Sequence, residues 1–152
     1  PNDIVTDIHK AWLAAKRSPI AELGFDISKM KYSDDPGRTI GVSGYYRPSK
    51  DTMWTDVNAA SAKATPVHEG IHRGIEILRR EGKLPFKLNF RDDELMTRAI
   101  MLKYFGSVET PPNYKEHPQI DEARKRIKPE MIKQLEEAAA QYIADKRPMG
   151  PR

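Results

Sequence analysis

Thr65-Pro66-Val67-His68-Glu69-Gly70-Ile71-His72 is the stretch from which the rest of the chain is read. It carries the pattern H-E-x-x-H. On a helix, residues i and i+4 share a face with their Cβ atoms roughly 5–6 Å apart. Two imidazoles so placed converge on one metal ion, and a glutamate next to the first reaches a water in the ion's open position. The flanks favour the helix that this needs. Thr65 is expected to cap it, with Pro66 in the first turn and Gly82 as the stop. Val67, Ile71, Ile75 and Leu78 form an apolar stripe of helical period, and His68, His72 and Glu76 fall on another face.

Working outward towards the N-terminus, Asn58 to Ala64 is a small polar connector, preceded by two strand-like stretches. Thr39 to Tyr46 and Thr52 to Val57 flank the turn Pro48-Ser49-Lys50-Asp51, which predicts a hairpin running into the motif helix. Its last strand is the natural edge for an extended peptide to pair with. Asp34-Asp35-Pro36-Gly37 is a turn, and Ile20 to Ile27 a short element. Asp3 to Lys16 reads as an amphipathic helix with Ile4, Val5, Ile8, Trp12 and Ala15 facing a core and His9 beside that stripe.

Towards the C-terminus, Gly82 to Phe90 is a loop. Asp92, Asp93 and Glu94 then bring acids to the start of a helix, where the dipole favours them. That helix continues through Leu95, Met96, Ala99, Ile100, Leu102 and Phe105. After a loop from Val108 to Tyr114, Pro118 and Pro129 open two further helices. Residues 1–146 are expected to form one mainly helical α+β domain with a short antiparallel hairpin before the motif helix, and 147–152 a tail.

Composition narrows the chemistry. The 152 residues contain no cysteine, so thiolate catalysis, disulfides and cysteine metal sites are excluded, leaving histidine and carboxylates as strong metal ligands. The formal charge is a mild +4, and no basic block is interleaved with aromatics, which argues against nucleic acid as a partner. No run approaches membrane-spanning length, so a cytoplasmic monomer acting on a protein or peptide is expected.

A catalytic zinc takes three protein ligands and keeps one place for water. A metzincin continuation would need glycine at 75 and histidine at 78, where Ile75 and Leu78 stand. Glu76 lies on the histidine face, but one straight helix rarely wraps three ligands around an ion. Glu94, on the next helix, is the foremost third ligand, followed by His117 and Asp93. A di-iron bundle needs two Glu-x-x-His pairs, and only Glu69 to His72 supplies one.

Hairpin, connector, H-E-x-x-H helix, loop and glutamate-bearing helix together resemble minimal gluzincin metallopeptidases, in particular the ImmA/IrrE-type domain. The resemblance covers roughly residues 41–105. It rests on Gly44-Tyr45-Tyr46, Met53-Trp54, His68-Glu69-Gly70-Ile71-His72 and Glu94. It implies Zn2+ held by His68, His72 and Glu94, with Glu69 as general base of peptide hydrolysis. This chain departs from those domains in having Gly70 and Ile71 where they generally place glycine directly before the second histidine, and in lacking a helix-turn-helix region. A tetrahedral oxyanion needs a further donor. Tyr46 and His117 are the foremost candidates, beside Tyr45, Tyr104 and Tyr114. The alternative to an enzyme is a metal-stabilised binding module acting through its basic surface.

Overall fold

The computed structural model describes residues 4–33, 44–57, 64–105 and 118–147. Its elements run α1 (Ile4–Ala15), α2 (Pro19–Gly24), β1 (Met30–Ser33), β2 (Gly44–Arg47), β3 (Thr52–Asp56), α3 (Thr65–Arg80), α4 (Phe90–Phe105), α5 (Pro118–Arg126) and α6 (Pro129–Lys146). The molecule is therefore mainly helical with one small sheet, the α+β class expected from the sequence.

The motif helix α3 is the centre of the packing. Its stripe Val67, Ile71, Ile75 and Leu78 is buried, and the same core takes Ile20 and Ala21 from α2, Leu95, Met96 and Ile100 from α4, and Ile132, Leu135 and Ala139 from α6. The start of α3 differs from expectation. Thr65 is already inside the helix, Ala64 occupies the cap position without a side-chain bond, and Pro66 lies in the first turn. The stop is as expected: the helix ends at Arg80, and Gly82 follows in the left-handed region at φ +67°.

One glycine on each helix, Gly24 of α2 and Gly74 of α3, explains how α2 reaches the motif helix. A Cβ on Gly74 would stand 2.3 Å from the Ile20 carbonyl oxygen, and one on Gly24 would stand 1.7 Å from that of Gly70. The helices meet backbone to backbone, a distance only glycine permits. Gly70, inside the motif, contributes its carbonyl to this seam, while a Cβ on it would meet Phe25 only at 3.4 Å.

The sheet has strand order β1-β3-β2. β2 and β3 form the expected antiparallel hairpin, with Tyr45 opposite Trp54 and Tyr46 opposite Met53. Asp51, in the turn, takes φ +49°, a left-handed conformation that aspartate tolerates better than most residues. β1 was not anticipated, and it pairs in parallel with β3, Met30 against Met53. β3 is therefore the middle strand and offers no edge to a peptide; β2 is the hairpin strand that borders the site.

Trp12 is another correction. It is 38 % exposed, whereas α1 turns Ala15, as expected, and Ala11 inward. The indole is covered by its own helix, with the Lys16 ammonium 3.6 Å above the ring and His9 stacked at 5.9 Å. His9 takes no part in any candidate metal group among the described residues. The turn at 34–37, residues 39–43, the connector 58–63, the loop 108–114, His117 and the tail beyond Arg147 lie outside the described residues. No described helix is long and apolar enough to cross a membrane.

Candidate metal centre

α3 and α4 lie side by side, and their facing surfaces bring His68, His72 and Glu94 together. One donor atom from each lies within 4.8 Å of the other two, the arrangement needed for a shared ion. The Glu94 carboxylate divides between the rings, Oε1 3.4 Å from His68 Nε2 and Oε2 2.8 Å from His72 Nε2. Ligand atoms on a tetrahedral ion with bonds of about 2.0–2.1 Å stand about 3.4 Å apart, so the set fits such an ion with small adjustments. His68 is buried and the other two are half-buried, an environment that strengthens charge interactions.

The second ring nitrogen of His72 is also engaged. Nδ1 lies 2.9 Å from Asp93 Oδ1, while Thr97, whose hydroxyl donates to the Asp93 carbonyl oxygen, sits 3.4 Å from the same nitrogen. Adjacent residues of α4 thus address the two nitrogens of one histidine. Asp93 is fixed in turn by Arg79, whose guanidinium donates to Asp93 Oδ2 at 3.0 Å, to Glu76 Oε2 at 2.6 Å and to the Leu88 carbonyl oxygen at 3.4 Å. Glu76 accordingly sits behind the site as the anchor of Arg79 and is no part of the metal group.

This environment dictates the protonation of the metal-free site. Burial by itself would lower the His72 pKa, but the hydrogen bonds to Asp93 and Glu94 outweigh it and raise the value to about 9. For Glu94, burial works against the charge, and the two imidazoles overcome it, holding the carboxyl well below the usual carboxylate range. A cationic His72 between two carboxylates fills the site with hydrogen bonds. A metal ion at Nε2 would replace one proton and leave the other on Nδ1, facing Asp93, the tautomer that carboxylate partners impose on ligating histidines.

Glu69 is buried on the same helix, its Oε1 3.9 Å from His68 Nε2, and it lines the adjoining cleft. Tyr46 lines this cleft too, but its hydroxyl donates to Asp51 at 3.0 Å. Burial and that bond push the Tyr46 hydroxyl well above its ordinary pKa. Asp51 is clamped by Arg73, whose Nε and second terminal nitrogen donate to its two oxygens at 2.8 and 3.1 Å; the remaining nitrogen donates to the Gly24 carbonyl oxygen at 3.2 Å. Arg73, one residue past the second histidine, therefore ties the hairpin turn and α2 to the motif helix. Arg80 adds a bond to the Pro48 carbonyl oxygen at 2.5 Å.

Of the expected residues, His68, Glu69, His72 and Glu94 come together, Tyr46 stands at the cleft wall, and His117 lies outside the described residues. Asp93, a candidate third ligand by sequence, instead bonds Nδ1 of His72, and neither this role nor that of Arg79 is foreseen by the sequence reading. The only sequence sign was the run Asp92-Asp93-Glu94, which helix-dipole arguments account for equally well.

Compared with protein-family models, with curated proteins and with solved structures, the chain matches none of them.

Proposed function

We propose that the protein is a zinc-dependent peptidase that hydrolyses peptide bonds at the centre built from His68, His72 and Glu94. The observation that carries this reading is the convergence of those three donors from two helices, with Glu69 beside them in one cleft. Two neutral histidines and one carboxylate are a common ligand set of catalytic zinc. A zinc ion bound there would supply a Lewis acid and a water whose pKa lies near 7.

The remaining chemistry belongs to the chain. Glu69 points into the cleft from the position after a ligand, about 100° further around the helix, and so takes a proton within the cleft rather than joining the ligand set. It then returns that proton to the leaving amine as general acid. Asp93 holds His72 in the tautomer with Nε2 free for the ion. β2 and the turn held by Arg73 form the wall along which a peptide lies.

The test is metal analysis of the purified protein followed by peptide cleavage with wild type and Glu69→Gln. One zinc per chain is expected in both. Cleavage should fall in the variant by at least the roughly 10²–10⁴-fold typical of a lost general acid–base. Equal zinc with no cleavage by the wild type of any peptide in a broad library would instead leave a metal-stabilised binding module.

A further inference from the structure

Phe90 is 94 % exposed, the least covered large apolar side chain among the described residues. It opens α4 one turn before Glu94, and with i to i+4 spacing the two project from the same helix face. Phe90 also lines the cleft that holds Glu69, His72 and Glu94. Across that cleft stand Tyr45, Tyr46 and Pro48 of the hairpin.

We propose that Phe90 and the hairpin residues Tyr45, Tyr46 and Pro48 form a side-chain subsite that selects peptides with a bulky apolar residue beside the bond to be cleaved. This rests on the peptidase reading and specifies its substrate class.

Three further observations carry it. The hairpin wall is held by its own contacts. Tyr45 is stacked on Trp54 at 5.3 Å and covered by the Arg47 guanidinium at 4.5 Å, and the Tyr46 hydroxyl is committed to Asp51. The cleft's arginine is committed as well, since Arg79 already bonds Glu76 and Asp93, so it is not available to a substrate carboxylate. Finally, the cavity of about 260 Å³ is below the roughly 300–1,000 Å³ of pockets that enclose a whole small ligand. That size suits one side chain of a longer molecule. The four carboxylates that also line the cleft are engaged, Glu76 and Asp93 by Arg79 and Glu94 by His68 and His72, and Glu69 lies against His68, so the aromatic rings and the proline favour an apolar group over a charged one.

The experiment uses zinc-loaded full-length protein and a series of short peptide hydroxamates differing only in one side chain: benzyl, isobutyl, methyl, carboxymethyl and aminobutyl. Affinities are read by calorimetry, so turnover is not required. The benzyl and isobutyl compounds should bind at least about tenfold more tightly than the methyl compound, in line with the discrimination apolar pockets achieve. The two charged compounds should bind no better than methyl. Phe90→Ala should reduce the benzyl-to-methyl ratio to below about threefold with zinc content unchanged, and Phe90→Trp should preserve it. Methyl and benzyl binding alike, a charged compound binding best, or an unchanged ratio in Phe90→Ala would overturn the inference, as would absence of binding by the whole series. If the ratio behaves as expected while the wild type cleaves no peptide, the peptidase reading fails and the subsite stands.

Discussion

Replacing Asp93 by alanine isolates the support of one metal ligand from the ligand itself. Asp93 Oδ1 lies 2.9 Å from His72 Nδ1 and is the carboxylate bonded to that side of the ring. Without it, the imidazole is free to rotate and to place its proton on Nε2, the nitrogen facing His68 and Glu94. Removing the outer partner of a ligating histidine typically weakens metal binding 10–100-fold, about 1.4–2.7 kcal/mol. The upper half of that range is expected, because Asp93 is itself immobilised by Arg79 at 3.0 Å and so holds the ring in one orientation. Asp93→Asn keeps an acceptor oxygen for Nδ1 but turns its amide donors towards Arg79, so its loss should be smaller in zinc affinity and larger in thermal stability. Competition with a chelating dye at fixed pH measures all three proteins. Zinc affinity of Asp93→Ala within twofold of wild type would refute the orienting role. A loss as complete as that of His68→Ala would make Asp93 a ligand in its own right.

Other outcomes follow from the same geometry. Glu94→Gln should weaken zinc binding, with cleavage partly restored at high zinc; affinity equal to wild type would place the third ligand elsewhere. Zinc binding should tighten as pH rises towards about 9, because His72 must lose its Nε2 proton; a pH-independent affinity across 6.5–9 would contradict that. In the metal-free protein the raised His72 pKa contributes stability fully below its ordinary 6.5 and loses it as pH climbs through about 9. The lowered Glu94 pKa contributes above its ordinary 4.5 and fades as pH falls below it, so chemical denaturation should find these two contributions together between 4.5 and 6.5. Tyr46→Phe leaves Asp51 held by Arg73, so denaturation should show a loss of about 1 kcal/mol. Gly74→Ala should destabilise by about 1–3 kcal/mol despite alanine's better helix propensity, because its Cβ meets the Ile20 carbonyl; a more stable variant would disprove that contact.

The parts legible in the sequence were those with local period. α3, α4 and α6 each bury the apolar residues that fall three and four apart, and the ligand pair followed from one helical turn. β1 was illegible because four residues, Met30 to Ser33, carry little pattern and pair in parallel with a strand more than twenty positions away. Trp12 departs from its core spacing because Lys16 and His9 cover it on the surface, which helical period alone does not reveal. The roles of Asp93 and Asp51 were hidden for a different reason. Each depends on a partner about twenty residues distant, and a carboxylate's sequence neighbours say nothing of which cation it will meet.

The backbone-to-backbone seam between α2 and α3 bears on where the molecule can be cut. A fragment spanning residues 41–105, the reach of the family resemblance, would contain every proposed zinc ligand yet lack α2. It would expose the groove at Gly70 and Gly74 to solvent and strip Ile20 and Ala21 from the core. The Arg73 contact with the Gly24 carbonyl would vanish too, leaving that arginine bonded to the hairpin turn alone. The smallest unit able to keep the motif helix in place therefore begins no later than Ser18, whose side chain caps α2, although no described residue before the hairpin belongs to the candidate metal group.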